Sequence, residues 1–377
     1  MEKMYIKGVG MSRFCLDDRP SWDFAYEAAM EALDDSDMSM NDIDAVVVST
    51  VDTKMTGERQ RHYSSLVSSL LKKKMPIIRV PAVCGGGGAA LWTARRLGFD
   101  NVLVLATDKV VGNTQQTITK EIMNANENVW EQQEGMVFPA QNALVAQQHM
   151  LKYESTMDDL ALIAFKNHSN AYSNPKAHFY KKKITLEEIK SSPIIASPFR
   201  LYDCTISVNG AAAAIISKDK SDIEIAGSGM CTDYLPPFER EDMTTWQASV
   251  IASKDAYKQA GIDAKDINFA EVHDAFTIVE LIAYEDLGFA KKGEGAKLIR
   301  DGTVNIDGRF PVNTSGGLKA RGHPISPTGI AQIYEIAKQL RGQAGDRQVS
   351  RRKYGMAQNI GGAGGSISVH ILRKIAG

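Results

Sequence analysis

The chain is predicted to be an α/β protein of two related halves, and three observations predict it. A segment of the first half recurs in the second at a constant spacing, short apolar runs alternate with amphipathic stretches, and a glycine-rich junction joins an apolar run to a small-residue helix. The recurrence is the most direct. Trp22-(x)5-Ala28-(x)2-Glu31-Ala32 followed by Asp42-Ile43-Asp44 answers Trp246-(x)5-Ala252-(x)2-Asp255-Ala256 followed by Asp266-Ile267-Asn268, with a constant offset of 224 positions. Each copy reads as an amphipathic helix, a polar turn and a short strand, Ala45–Thr50 in the first and Phe269–His273 in the second. A looser match sets Val83-Cys84-Gly85-Gly86 opposite Thr314-Ser315-Gly316-Gly317, each opening a small-residue helix, which would bring two helix N-termini close together. The halves are therefore drawn as residues 1–222 and 223–377.

Further strands are expected at Asn101–Thr107 and Ala211–Ser217. Between them, from about Gly112 to Arg200, the alternation stops and Asn, Gln, His and Lys are enriched, so this stretch reads as an insertion covering a site, with a helix over Pro139–Tyr153. Phe138, Met136 and Trp130 are candidates either to narrow a pocket there or to join the core.

At 377 residues and 44% apolar content the chain is long enough for two cores. A net charge of -1 with scattered lysines and glutamates argues against nucleic-acid or anionic-membrane partners, and Lys72–Lys74 and Lys181–Lys183 read as solvated ends. Four cysteines, Cys15, Cys84, Cys204 and Cys231, lie far apart with no CxxC pair and no histidines at metal-ligand spacing, which argues against a disulfide framework and a zinc site. No apolar run approaches the ~20 residues that span a bilayer, and a cytoplasmic protein is expected.

The chemistry-bearing residues fall in four motifs. Val80-Pro-Ala-Val-Cys84-Gly-Gly-Gly-Gly-Ala-Ala-Leu91 places a thiol at a strand-to-helix junction, where free N–H groups favour a thiolate and glycines allow a close approach of substrate, so Cys84 is expected to be a nucleophile of lowered pKa. Glu271-Val-His273-Asp274-Ala275-Phe276 puts a histidine at the end of a strand. Asn313-Thr-Ser-Gly-Gly-Leu-Lys-Ala-Arg-Gly-His323-Pro324 holds a second histidine before a proline. Gln358-Asn359-Ile-Gly361-Gly-Ala-Gly-Gly365 supplies backbone N–H donors in a tight turn; no helix follows it, so it is not a dinucleotide fingerprint.

This set resembles the thiolase superfamily over essentially the whole chain, most closely its archaeal acetoacetyl-CoA thiolases and sterol-carrier-protein-like thiolases. The resemblance implies a thiolase-like fold of duplicated βαβαβαββ halves in five layers, α-β-α-β-α, with a loop domain inserted in the first half. It implies that Cys84 accepts the acyl group, that His323 activates it, that His273 stands where relatives carry Asn or His, and that the N–H groups of Cys84 and Gly361 form an oxyanion hole. It further implies CoA thioesters as substrates with no other cofactor, a homodimer or homotetramer, and a place in complexes with a small zinc-ribbon/OB-fold protein and a 3-hydroxy-3-methylglutaryl-CoA synthase.

Three positions depart from the family pattern. Relatives carry a second, proton-carrying cysteine either in the late Cys-x-Gly motif, where this chain has Asn359, or in His-Asp-Cys-Phe, where it has Ala275; the nucleophile is followed by glycines rather than Ala-Ser-Gly. Cys204 and Cys231 match neither motif and read as packing residues. The expected activity is acetyl-CoA C-acetyltransferase of thiolase type through an acyl-Cys84 intermediate. The alternatives are a condensing enzyme or C-acyltransferase with another acceptor, assisted by Asn359 or by Ser326, whose simpler role is a helix cap, and a non-catalytic scaffold subunit.

Overall fold

The computed structural model describes residues 2–52, 56–112 and 114–375. The first half runs β1 (Tyr5–Met11), α1 (Ser21–Ser36), β2 (Ala45–Ser49), α2 (Tyr63–Leu71), β3 (Ile77–Arg79), α3 (Gly86–Ala94) and β4 (Asn101–Asp108). An excursion follows, α4 (Gln115–Met123), α5 (Phe138–Tyr153), α6 (Met157–Ala171), α7 (Leu186–Ser191) and the small hairpin β5 (Ile194–Ala196) and β6 (Phe199–Arg200), before β7 (Gly210–Ser217) returns to pair with β4. The second half contains β8 (Ile223–Thr232), α8 (Gln247–Ala260), β9 (Phe269–Glu271), α9 (Thr277–Asp286), α10 (Gly295–Arg300), α11 (Gly317–Arg321), α12 (Thr328–Arg341), β10 (Tyr354–Gly361) and β11 (Ser366–Lys374).

The strand order shows the duplication. It is β3-β2-β4-β7-β1 on one side and β8-β11-β10-β9 on the other, with Val312 bridging β9 in the place of β3. Orientation repeats as well: β2 is parallel to β4 and β9 to β10, while β4/β7, β7/β1, β10/β11 and β11/β8 are antiparallel. The polar turns after α1 and α8 are 3-10 turns at Met40–Asp42 and Ala264–Asp266, each closed by an aspartate reaching back to a backbone N–H.

Close packing explains why the helices seat where they do. A Cβ at Gly8 or Gly10 of β1 would stand 2.1 Å from the carbonyl oxygens of Ala32 and Ala28; at Gly227 or Gly229 of β8 it would meet those of Ala256 and Ala252 at 2.1 and 2.0 Å. The paired alanines are the ones that the sequence repeat aligns. Glycine on the strand and alanine on the helix let α1 and α8 lie against the sheet at backbone distance.

β1 and β8 share only two residue pairs, Tyr5–Glu224 and Ile6–Ile223, and the sheet folds over at this seam. Helices α3 and α12 each touch strands of both halves, while α1 and α8 cover the outer faces, so the layers run α-β-α-β-α. Strands of the middle are covered on both sides, which is why Val46–Val48 and Val102–Ala106 are continuous apolar runs.

The looser of the two sequence matches is corrected. The counterpart of α3, which precedes β4, is α12, which precedes β10; α11 has five residues and is a separate turn of helix. Gly317 lies against the Asp274 carboxyl and Gly316 against Ala171 of α6, so the pair does not open a central helix.

Candidate active site

Cys84 sits in a 3-10 turn, Val83–Gly85, between β3 and α3. Val83 has φ 49°, a region a β-branched residue rarely occupies, and the turn is held in it from outside. Ser326 Oγ donates to the Val83 carbonyl at 3.3 Å, Asn359 Nδ2 donates to the Cys84 carbonyl at 3.0 Å, and Asn359 Oδ1 accepts the Gly88 N–H at 3.0 Å. The glycines serve helix packing rather than approach of a substrate. A Cβ at Gly86 would meet Ser49 Oγ at 2.2 Å, at Gly87 the Ser326 carbonyl oxygen at 2.6 Å, and at Gly88 Ser368 Oγ at 2.0 Å.

The expected low thiol pKa is also corrected: burial pushes the Cys84 thiol up to about 12, with the Asp108 carboxyl adding to the rise. The N–H groups at the start of α3 do not help, because Gly85, Gly86, Gly87 and Gly88 already donate to Ala82 O, Val83 O, Ser326 O and Asn359 Oδ1. Two N–H groups do face the sulfur, those of Cys84 itself and of Gly362. Gly361, the expected oxyanion donor, ends β10 with its backbone against Gly85, next in the chain to the glycine whose N–H faces the sulfur.

Asp108, at the end of β4, is fully enclosed. Its Oδ1 accepts from Thr50 Oγ1 at 2.7 Å and Val51 N–H at 2.8 Å, and its Oδ2 accepts the Ser326 N–H at 2.8 Å. Burial raises its pKa to about 7 against these hydrogen bonds. Ser326 thus ties Asp108 to the nucleophile turn, and the cap of α12 is Pro327.

The two histidines meet edge to face, ring centroids 5.5 Å apart. Nδ1 of His273 faces the Ile360 N–H at 3.3 Å and Asn359 Nδ2 at 3.3 Å, both donors, so the neutral ring carries its proton on Nε2. Burial, reinforced by His323, holds His273 well below the ordinary histidine range and keeps it neutral. His323 pairs through Nδ1 with Thr328 Oγ1 at 2.7 Å and is pushed down to about 3 by burial, with Arg321 contributing. Gly322, at φ 108° and with Val208 Cγ2 2.7 Å from where a Cβ would stand, sets the chain direction into His323.

Beneath these residues the motifs are locked together. Asp274 Oδ1 accepts the Leu318 N–H at 2.6 Å, and Asn167 Nδ2 bridges Asp274 and Glu280 at 2.7 and 2.6 Å. Asn313, itself at φ 57°, accepts the Val272 N–H at 2.8 Å and donates to Glu280 at 2.8 Å. Lys166 completes the cluster with Glu280 at 2.7 Å.

Cys84, His273 and His323 line one cavity of about 1010 Å³. Its walls include Ile118, Phe138, Trp246 and Phe276, so the inserted segment does cover the site. Of the three large residues proposed there Phe138 alone is a lining residue, and Trp130 is exposed. Cys204 also lines the cavity, which corrects its reading as packing alone; its thiol donates to the Arg200 carbonyl at 3.8 Å, and burial raises it to about 11. Cys231 lies on β8, outside the site. Ala275 and Asn359 sit where expected and have no proton to exchange. Sequence reasoning missed Gly362, Asp108, Thr328 and Asn167. The polar residues buried in otherwise apolar α9 were the available signal for the supporting cluster.

Among the described residues no helix is long and apolar enough to cross a membrane. Residues 8–198 match the thiolase N-terminal domain and residues 229–374 the thiolase C-terminal domain-like family. An acetyl-CoA acetyltransferase of Methanothermobacter thermautotrophicus is 38% identical over 99% of this chain and 100% of its own length, and sterol carrier protein 2 of Bos taurus is 31% identical over 98% of this chain and 72% of its own. Among solved structures, the Ltp2-ChsH2(DUF35) aldolase superposes with a TM-score of 0.83 at 25% identity, covering 99% of this chain and 98% of that one. With both halves matched and the nucleophile turn, the two histidines and the duplicated sheet in place, the chain belongs to the thiolase family.

Proposed function

We propose that the protein is an acyl-CoA acyltransferase of thiolase type, an acetyl-CoA C-acetyltransferase like its archaeal relatives, working through an acyl-Cys84 intermediate. The observation that carries this reading is the gathering of Cys84, His273 and His323 in one cavity, with the N–H groups of Cys84 and Gly362 at the sulfur.

In the free protein the thiol and both imidazoles are neutral. Cys84 Sγ bonds to the thioester carbonyl carbon while its proton passes to His323, so no free thiolate accumulates. The carbonyl oxygen becomes negative in this step, and the N–H groups of Cys84 and Gly362 stabilise it; one such donor lowers a barrier by roughly 3 kcal/mol in comparable sites. Collapse expels the CoA thiolate, which takes the proton back from His323. In the second half-reaction the α-carbon of another thioester gives up its proton to His323, neutral again after the first step, while the Nε2–H of His273 is oriented to donate to that thioester's enolate oxygen. The enolate carbon then bonds to the acyl carbon, and the Cys84 sulfur leaves and takes the proton from His323.

The α-proton has no carrier at Asn359 or Ala275, and this favours a second reading: a condensing enzyme or C-acyltransferase in which the attacking carbon needs no thiol to deprotonate it. The reading takes the enzyme to be cytoplasmic and homo-oligomeric, with a zinc-ribbon/OB-fold protein and a 3-hydroxy-3-methylglutaryl-CoA synthase as partners.

Intact-protein mass spectrometry tests it, using the wild type and Cys84→Ala with acetyl-CoA and then with acetoacetyl-CoA plus CoA. A single acetyl adduct absent from the variant, with acetoacetyl-CoA cleaved, supports the thiolase. An adduct without cleavage moves the assignment to the second reading, and no adduct removes both.

A further inference from the structure

The cavity has a second polar end that the acyl-transfer chemistry does not use. The run Cys204-Thr205-Ile206-Ser207 lines one wall, bridged to Phe276 at Cys204 and to His323 at Ser207. Three extended residues place its far end roughly 10 Å from His323. At that end stand His168 of α6 and Lys319 of α11, both in the cavity wall.

His168 is 3% exposed, its ring edge-on to Phe179 at 4.6 Å and to Tyr202 at 5.3 Å, and its Nδ1 has no hydrogen-bond partner among the described residues. A buried ring nitrogen without a partner costs about 1–3 kcal/mol, and polar groups in such places meet a ligand or water. Lys319 is 1% exposed and its ammonium donates to the Asp203 carbonyl at 2.8 Å, the one hydrogen bond of that group among the described residues, although an ammonium carries three donors. Asp274 and Asp203 stand near enough to balance its charge. The cavity that this pair shares with Cys84 also has apolar lining, Ile118, Ile206, Phe276 and Val279 among it.

We infer that His168 and Lys319 form a binding subsite for an acceptor oxygen at the far end of the acyl chain, so that the preferred substrate is an acyl-CoA carrying a ketone or carboxylate remote from its thioester. The inference rests on acylation of Cys84 and names the substrate class for that step. An apolar chain spans the middle of the cavity, the thioester lies at Cys84, and the second oxygen accepts from the His168 ring and the Lys319 ammonium.

The test uses three CoA thioesters of equal chain length, octanoyl, 7-oxooctanoyl and suberyl, with formation of the Cys84 adduct followed by mass and kcat/KM by CoA release. In the wild type at least one functionalised thioester is preferred over octanoyl by about tenfold or more, as sites built around a polar group reject the analogue that lacks it. The two functionalised arms separate ketone from carboxylate. His168→Leu abolishes the preference by slowing the functionalised substrate, while His168→Gln, which keeps a donor and an acceptor, retains part of it and guards against a folding defect in the leucine variant. Octanoyl-CoA used as well as both others by the wild type overturns the inference, as does a preference that survives His168→Leu. An octanoyl adduct without any preference overturns the subsite alone, whereas no adduct from any thioester overturns the acyl-Cys84 reading with it.

Discussion

The side-chain amide of Asn359 joins the Cys84 carbonyl to the Gly88 N–H, donating at 3.0 Å to one and accepting at 3.0 Å from the other, and its remaining N–H faces Nδ1 of His273. Residue 359 therefore positions the nucleophile and one histidine from the strand opposite. Both of its N–H donors are engaged, so it has none to offer a substrate oxygen, which argues against a direct assisting role as a donor.

Asn359→Ala leaves the Cys84 carbonyl and the Gly88 N–H unpaired in the interior. The expected loss is about 1–3 kcal/mol of stability, read by urea unfolding, with a larger fractional fall in the rate of Cys84 acylation than in substrate affinity. Equal stability and unchanged acylation would contradict the positioning role.

The raised Cys84 pKa, about 12, sets the pH dependence of alkylation. Iodoacetamide consumes the thiolate, whose fraction grows about tenfold per pH unit below the pKa. The inactivation rate of the free enzyme is expected to climb through pH 7 to 10 without a plateau. A plateau near neutrality would show a preformed thiolate–imidazolium pair.

Asp108 carries the opposite lesson for stability. Its folded pKa, about 7, lies above the ordinary 3.8, so the folded state holds this proton more tightly. Its contribution is fully present below about pH 4 and is lost as the pH rises through about 7. Asp108→Asn removes this dependence but sets an amide N–H₂ against one of the groups donating to the carboxylate, among them the Ser326 N–H. Unfolding curves from pH 4 to 8 are expected to show the gap between wild type and variant narrowing with pH, while acylation falls at every pH because Ser326 releases Val83.

Gly87→Ala places a methyl group 2.6 Å from the Ser326 carbonyl oxygen, a backbone atom that cannot turn away. The clash parts α3 from α12 and displaces the nucleophile turn. We expect a loss of about 1–3 kcal/mol and slowed acylation, measured by thermal unfolding and by adduct formation.

Cys204→Ala separates the two readings of the second half-reaction. With its thiol turned to the Arg200 carbonyl, Cys204 is expected to be dispensable, and turnover stays within about threefold of wild type, below the 10²–10⁴-fold that a proton-transfer residue contributes. A loss of about a hundredfold with acylation of Cys84 intact would make Cys204 the missing proton carrier.

Much of this was legible in the sequence, because the duplication repeats both apolar faces and turn chemistry. The 224-residue offset finds the same alanines that pack against β1 and β8, and the motifs name Cys84, His273 and His323. Local pattern misled where partners are distant. The α3 start looked like an open donor array, yet Ser326 and Asn359, far along the chain, occupy two of its N–H groups, and the second-half counterpart of α3 lies beyond the glycines that seemed to match.

By itself the sequence determined the α/β class, the repeated half and the thiol and two histidines that meet in one cavity, since periodicity and residue chemistry are carried by neighbours in the chain. Only the tertiary structure decided the thiol's protonation, the tautomer of His273, the choice of Gly362 as N–H donor to the sulfur and the distant polar end at His168 and Lys319. Each of these depends on burial and on hydrogen-bond partners that folding brings from other elements, and neither is written in the spacing of residues along one strand or helix.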